Sequence, residues 1–326
     1  MSDNIEDWLY KTKKHQATFG VELEMMLFDI NEKRLVRDGD FTHAVLSTLP
    51  HEISKDYYPF QLEIRTNPHS EVEDILKETR KFYKMAKDAF AKEGVLVIPA
   101  PELGDESRTP CGMHVHVHYP GIKDNNLYWN RAMGMYPFIL ALSDHSKNSE
   151  RNIYDNSHRM NTSPHIGLPY LNQDEFIGMH GGTSRYKDIA FTPPNTNDEG
   201  TKMKKPTTLE IRILDTPSLF SFYEFQLRYI KTIAEHIKDD NPMVDIIDDS
   251  TSKAFNILKM SRALVVNQRY GVSKIFHKLN STVCREVAER YGFNYHKDTQ
   301  FEYREELGLS ANINGYLSMA TKGGWL

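Results

Sequence analysis

The chain has 326 residues, of which 39% are hydrophobic and 26% charged, as in an ordinary folded protein. Its formal net charge of −5 disfavours a nucleic-acid backbone as partner without excluding a local basic pocket. Two distant cysteines exclude a disulfide framework, an acidic N-terminus excludes a signal peptide, and no segment has the ~18 apolar residues of a membrane span, so we expect a cytoplasmic protein.

The clearest predicted helix begins at Ser70, where Ser70 and Glu73 fit a capping box. Apolar residues recur at helical spacing after it, and Gly94 is the expected stop. The run Val95–Ile98 then predicts a buried strand.

Further helices are predicted at 127–146, 220–236, 252–270 and 273–291, so that the last hundred residues are mostly helical. The segment 148–197 is rich in Asn, Ser, Pro and Gly and is expected to be a loop. A loop of this length inside a compact domain is generally functional or disordered, and its place between two patterned strands favours function.

Four short segments share an unusual pattern. In 19–25, 62–65, 113–119 and 209–213, apolar residues alternate with Glu, His or Arg, so each strand has one apolar face and one charged face. The residues on the charged faces are Glu22, Glu24, Glu63, Arg65, His114, His116, His118, Glu210 and Arg212.

A single strand of this kind is most often just the solvated face of a sheet. A solvated face, however, would also be expected to carry Thr, Lys, Ser and Gln. Because all four segments carry almost only Glu, His and Arg, we interpret the shared face as a functional site.

The residue types on this face indicate a particular chemistry. Several carboxylates with imidazole and without thiolates favour Mg²⁺ or Mn²⁺. Carboxylates gathered in one place are costly unless a cation neutralises them. Arginines beside metal-bound phosphates stabilise charge during phosphoryl transfer.

The same segments resemble the glutamine synthetase and glutamate–cysteine ligase superfamily, and its amidoligase branch of carboxylate–amine ligases in particular. Residues 20–29 (GVELEMMLFD) resemble its Glu-x-Glu strand, and 111–116 (CGMHVH) its Gly-Met-His-x-His segment. Residues 208–215 (TLEIRILD) are similar to its Glu-x-Arg strand. The segment 61–64 (QLEI) is similar to the strand that carries another metal-binding glutamate.

The resemblance implies site residues. Ligands of two or three divalent cations would be Glu22, Glu24, Asp56, Glu63, His114 and Glu210. His116 and Arg212 would approach the transferred phosphate, and Arg185 and Lys187 lie in a segment similar to the family's Ser/Arg-containing loop. Catalysis would then rest on Arg212, Arg185 and His116, with Lys187 also binding ATP. His118 has no firm counterpart.

The resemblance also implies a fold and a reaction. The fold is α+β, a glutamine synthetase-like catalytic domain over 1–326, with a curved, mainly antiparallel sheet forming a funnel at about 15–218. Helices pack outside it, and 219–326 form a helical C-terminal part. ATP would phosphorylate a substrate carboxylate, for which an amino acid is one candidate, and an amine would displace phosphate from the acyl phosphate. The segment 148–197 is the expected lid against water.

Three other interpretations are left open. A guanidino-kinase-like enzyme would stop after phosphoryl transfer, a zinc hydrolase would use His114, His116 and His118, and a non-enzymatic module would only bind a nucleotide or carboxylate. The sequence does not name the acid or the amine, nor does it tell whether the acceptor is free or part of a macromolecule. It leaves a homo-oligomer open.

Overall fold

The computed structural model describes residues 16–101, 111–118, 189–192, 208–237 and Trp325. These residues form eight strands and three helices. The strands are β1 (Thr18–Asp29), β2 (Arg34–Leu35), β3 (Ile53–Lys55), β4 (Gln61–Arg65), β5 (Val95–Ile98), β6 (Gly112–His118), β7 (Ile189–Thr192) and β8 (Thr208–Asp215). The helices are α1 (Gly39–Leu46), α2 (Val72–Ala91) and α3 (Phe220–Ile237).

All eight strands belong to one antiparallel sheet. Its order is β3-β4-β1-β6-β8-β7, and β2 and β5 also pair with β1. The twelve-residue β1 therefore lies at the centre, with β4 along one edge and β6 and β5 along the other. The four strands predicted to share a charged face, β4, β1, β6 and β8, are consecutive neighbours.

One face of this sheet packs into the hydrophobic core. Phe19, Val21, Leu23, Met25 and Leu27 alternate along β1 and are almost fully buried, as the period of a strand requires. Buried residues of α2 and α3 join the same cluster, so these helices cover the apolar face and leave the charged residues on the opposite face. The α+β architecture predicted from the sequence is confirmed.

The start of α2 differs from the prediction. The N-cap is Glu71, not Ser70, and its side chain makes no capping hydrogen bond. The Glu71 carboxylate instead accepts hydrogen bonds from Gln16 Nε2 at 3.0 Å and Lys231 Nζ at 2.9 Å. These partners are distant in sequence, so the local capping pattern could not reveal them.

The end of α2 is as predicted. The helix stops at Ala91, and Gly94 has a φ of +73°, the left-handed conformation that glycine adopts without strain. A Cβ atom at this position would lie 3.0 Å from Asn31 Nδ2. The chain then enters β5, which pairs with β1 as expected of a buried strand.

The region predicted as loop over 148–197 contains a strand. Residues Ile189–Thr192 form β7, which pairs with β8, so the loop prediction is wrong for these four residues. The predicted helix at 220–236 is confirmed by α3. The helices predicted at 127–146, 252–270 and 273–291 lie outside the described residues, and the division into sheet and helical parts stays a prediction.

Trp325 brings the end of the chain to the core. Its ring packs against Tyr83, Phe220 and Tyr223, and its Nε1 donates to the Ser218 carbonyl at 2.9 Å. Within the described ranges, none of the helices has the length and apolarity needed to span a membrane.

Candidate functional site

Strand register brings the predicted site residues together. Residues directly opposite each other in an antiparallel pair point to the same face. Glu22 lies opposite His114 on β6 and Arg65 on β4, and Glu24 lies opposite Glu63. On the next strand pair, His116 of β6 lies opposite Glu210 of β8.

His114 lies at the centre of the charged face and is buried. Its Nδ1 is 3.3 Å from Glu22 Oε2 and 3.7 Å from Glu210 Oε1, and its Nε2 is 3.5 Å from Glu24 Oε1. One imidazole thus contacts carboxylates from β1 and β8, which fixes its orientation between the two strands.

His116 lies two residues beyond His114 on β6, and its ring nitrogens contact a different set of atoms. Its Nδ1 is 3.0 Å from the Thr208 hydroxyl, and both residues are buried. Its Nε2 lies 3.3 Å from Glu22 Oε1 and 3.9 Å from Glu210 Oε1. Nε2 is buried and is not aligned for a hydrogen bond with any group in the described part of the chain.

Two hydrogen bonds hold Glu24 in place, one to its side chain and one to its backbone carbonyl. Its Oε2 accepts a hydrogen bond of 2.6 Å from the Gly112 N–H at the start of β6. Its own carbonyl accepts one of 2.7 Å from the Thr216 hydroxyl just beyond β8. These bonds fix one carboxylate oxygen and leave Oε1 directed at His114.

A β-bulge lies beside the site. The pairing of β6 and β8 shifts between Met113 and Val115, where β8 contains one residue more than β6. With the bulge, Leu214 joins Leu209 and Ile211 in the core. Next to it, Arg212 Nη1 donates a hydrogen bond to Glu210 Oε1, which draws the guanidinium towards the carboxylates.

Glu63 lies at the β4 side of the site, next to the hairpin from β3. Ser54 of β3 pairs with Glu63, so Asp56, two residues further, lies on the same side of the hairpin. Burial and the nearby Glu22 and Asp56 carboxylates raise the pKa of Glu63 to about 8. Arg65, whose Nε is 3.4 Å from Glu63 Oε1, opposes this rise but does not cancel it.

The pKa values of the carboxylates nearer the histidines are shifted in the opposite direction, downwards. Burial alone would raise the pKa of Glu22, but its hydrogen bond with His114 and its charge interactions with His114 and His116 outweigh burial and lower it well below the usual range. Burial likewise opposes ionisation of Glu210, and His116, Arg212 and His114 nevertheless lower its pKa. The site therefore holds ionised carboxylates at the histidines and an excess of negative charge towards Glu63.

These residues fit a hard divalent cation. Glu22, His116 and Glu210 each offer a ligand atom, and the three atoms lie within 4.8 Å of one another. The separations of 3.3 and 3.9 Å around His116 Nε2 suit atoms that share one ion at about 2.1 Å. The raised pKa of Glu63 indicates the same need for positive charge.

The position of His116 extends the prediction made for it. The sequence resemblance implied a contact with phosphate, whereas the geometry also makes Nε2 a candidate cation ligand. His118 lies opposite Thr18 and is not part of the converging group found in the described part of the chain. A zinc site built on three histidines is therefore disfavoured.

The predictions of two phosphate-binding residues and of a lid stay untested. Arg185 and Lys187 lie outside the described residues, as does most of the segment 148–197. Thr208, which contacts His116, was not predicted to belong to the site. The signal was available, because alternation along β8 places Thr208 on the same face as Glu210.

Comparison of the sequence with family models and with curated proteins gives no match. Comparison of the structure with solved structures does give matches. The bifunctional glutathione synthetase of Pasteurella multocida aligns with 94% of this chain at a TM-score of 0.56 and 13% identity. This chain spans about half of that enzyme, 51% of its length.

A second solved structure covers most of both chains. The glutamate–cysteine ligase of Francisella tularensis, solved in complex with AMP, aligns with 95% of this chain and 88% of its own length, at a TM-score of 0.57 and 9% identity. At such low identity the likeness concerns the fold. The chain therefore shares the fold of these two structures, in agreement with the fold that its four strand motifs predicted.

Proposed function

We propose that this chain is an ATP-dependent carboxylate–amine ligase that works with Mg²⁺ or Mn²⁺. One observation carries the proposal. Four adjacent strands place the predicted cation ligands on one face, with Arg212 bonded to Glu210 among them. The predicted ligands on these strands are Glu22, Glu24, Glu63, His114 and Glu210, and Asp56, also a predicted ligand, follows β3 directly.

The fold supports the same class of reaction. Two solved structures that share it are a bifunctional glutathione synthetase and a glutamate–cysteine ligase in complex with AMP. A kinase would need only the phosphate-binding half of such a site. The carboxylate-rich face with its arginines suits either reaction, so the products have to distinguish them.

In the first proposed step, a carboxylate oxygen of the substrate attacks the γ-phosphorus of ATP. The bond from this phosphorus to the bridging oxygen breaks, and ADP leaves with the electron pair. Bound divalent cations would neutralise the phosphate oxygens. Arg212 would donate hydrogen bonds to the transferred group, and its hydrogen bond to Glu210 supports this role by orienting the guanidinium.

In the second proposed step, the amine attacks the acyl carbon and phosphate leaves. The nitrogen loses a proton, and an amide forms. A carboxylate of the site that is not bound to the cation would accept that proton. Which acid and which amine are joined is not part of the proposal.

Hydroxylamine can take the place of the unknown amine, so that the acid substrate is identified first. The full chain is incubated with ATP, Mn²⁺, hydroxylamine and one carboxylic acid at a time. An enzyme-bound acyl phosphate reacts with hydroxylamine to give a hydroxamate and phosphate, both of which are measured. We expect a hydroxamate with at least one amino acid or dicarboxylic acid, and none without Mn²⁺.

Two variants control this assay. Glu63→Gln should depress hydroxamate formation, because the amide keeps the volume and loses the charge that helps hold the cation. Glu32→Gln alters an exposed carboxylate outside the site and should leave the rate unchanged. A phosphorylated product that resists hydroxylamine would identify a kinase, and turnover without a divalent cation would refute the proposal.

A further inference from the structure

Thr208 is the first residue of β8 and is 6% exposed. Its hydroxyl lies 3.0 Å from His116 Nδ1, in a contact that is buried on both sides. This hydrogen bond joins Thr208 to the site.

The second nitrogen of the same ring makes the contact informative. His116 Nε2 is buried and lies between Glu22 Oε1 and Glu210 Oε1, at 3.3 and 3.9 Å. When the Thr208 oxygen accepts the Nδ1 proton, the lone pair of the neutral ring is at Nε2. That lone pair then points into the gap between two carboxylates, an arrangement that a cation in the gap would stabilise.

We propose that Thr208 is a positioning residue, whose hydroxyl fixes the His116 ring so that Nε2 joins Glu22 and Glu210 as a cation ligand. The inference rests on the cation of the proposed function and adds one assigned nitrogen ligand and the residue that orients it. Partners of this kind hold a metal-binding histidine in one tautomer and orientation, and their loss typically lowers metal affinity about 10–100-fold.

Thr208→Val tests the role, because valine keeps the shape of threonine and removes the oxygen. Thr208→Ser restores an oxygen at the same position. Thr79→Val is the matched control, since Thr79 is a buried threonine whose hydroxyl bonds to Tyr223 Oη at 2.7 Å, in the core and away from the site.

The readout is Mn²⁺ bound at less than one equivalent to the nucleotide-free chain. Affinity is measured by the electron paramagnetic resonance signal of free Mn²⁺. Coordination by a ring nitrogen is measured by electron spin echo modulation from ¹⁴N, and His116→Gln and His114→Gln assign that signal to one ring.

We expect Thr208→Val to bind Mn²⁺ about 10–100-fold more weakly and to lose the nitrogen modulation that His116→Gln also removes. Thr208→Ser should recover both, and Thr79→Val should change neither although it lowers the melting temperature. Should Thr208→Val fail to fold, Thr208→Ala takes its place with the same expectations.

The failures are distinguishable. If the unaltered chain does not bind Mn²⁺, the proposed function fails together with this inference. If it binds Mn²⁺ and Thr208→Val gives the same affinity and the same nitrogen modulation, the role of Thr208 is refuted and the proposed function stands. Modulation that depends on His114 alone would refute the assignment of His116.

Discussion

Glu63 carries a proton where most carboxylates do not. Its pKa is raised to about 8, first by burial and then by the neighbouring Glu22 and Asp56 carboxylates. Between its ordinary pKa and about 8, the folded chain therefore holds a proton that the unfolded chain has lost. Under this linkage, raising the pH through the window destabilises the metal-free fold.

Glu63→Gln should remove this pH dependence. We expect the unfolding free energy of the unaltered chain to fall relative to the variant as pH rises from 5 to 8, by a few kcal/mol and at most about 5. Urea denaturation in the presence of a chelator measures the difference. For Glu32→Gln, the difference in unfolding free energy from the unaltered chain should not change with pH over the same range. If the difference for Glu63→Gln is also independent of pH, Glu63 is ionised in the folded chain and the prediction is wrong.

Arg212 donates a hydrogen bond to Glu210, and we propose that it also contacts the transferred phosphate. Its planar fork of donors can engage two oxygens at once, whereas lysine offers a point charge. Arg212→Lys should therefore lower kcat roughly a hundredfold, about 3 kcal/mol, while ATP affinity changes much less. Single-turnover formation of the acyl phosphate and thermal melting are measured on the same protein.

The pair of measurements separates a catalytic arginine from a structural one. Slow chemistry with an unchanged melting temperature supports the catalytic role. A loss of rate that tracks a loss of stability would mean that Arg212 only shapes the sheet through Glu210. Arg34→Lys, at an exposed arginine paired with Glu32, is expected to change neither quantity.

At the scale of elements, the turn between α2 and β5 sets the register of β5 on β1. Gly94 is left-handed there, and an added Cβ would crowd Asn31. Gly94→Ala should lower the unfolding free energy by about 1–2 kcal/mol. Gly39, at the start of α1, has 3.9 Å between a hypothetical Cβ and its nearest neighbour, so Gly39→Ala should be neutral or stabilising.

Denaturant titration of the two variants checks this prediction. Because both changes add one methyl group and remove the same backbone freedom from the unfolded chain, their difference reports effects in the folded chain, namely the left-handed conformation and the Asn31 contact at Gly94 and the helix preference at Gly39. Equal stabilities would indicate that the turn relaxes without cost.

The strand faces were predictable because alternation is a local property. Glu22, Glu24 and Glu63 could be assigned to one face from sequence alone, and the structure confirms the adjacency of their strands. The bulge in β8 was not predictable, since it depends on pairing with β6 across a long stretch of chain.

Other errors have the same physical origin. The N-cap moved from Ser70 to Glu71 because Gln16 and Lys231 hold the Glu71 carboxylate. The strand at Ile189–Thr192 is too short for alternation to distinguish it from a loop, and it becomes a strand by pairing with β8. The role of Thr208 required knowledge of which nitrogen of His116 faces it.

At the scale of the whole molecule, the charge of the site has to be balanced from outside. Four glutamates of the face lie against two histidines and two arginines, and the raised pKa of Glu63 reflects its burial and the negative charge that these do not neutralise. The chain as a whole has a net charge of −5. ATP, itself highly negative, would be repelled by such a face in the absence of a cation.

The last prediction follows from this balance. Calorimetry of the chelator-treated chain should show weak ATP binding that tightens about 10–100-fold when Mg²⁺ or Mn²⁺ is added, a coupling of roughly 1.5–3 kcal/mol. Glu63→Gln should bind ATP more tightly than the unaltered chain without cation when the pH is above 8, because the unaltered Glu63 is then charged. The same variant should gain less from the cation, since one ligand is lost, whereas Glu32→Gln should behave like the unaltered chain. Because linkage is reciprocal, ATP must tighten Mn²⁺ binding by the same factor, which a separate Mn²⁺ titration measures. Equal ATP affinity with and without the cation would contradict the assignment of these carboxylates to a nucleotide-bridging metal site.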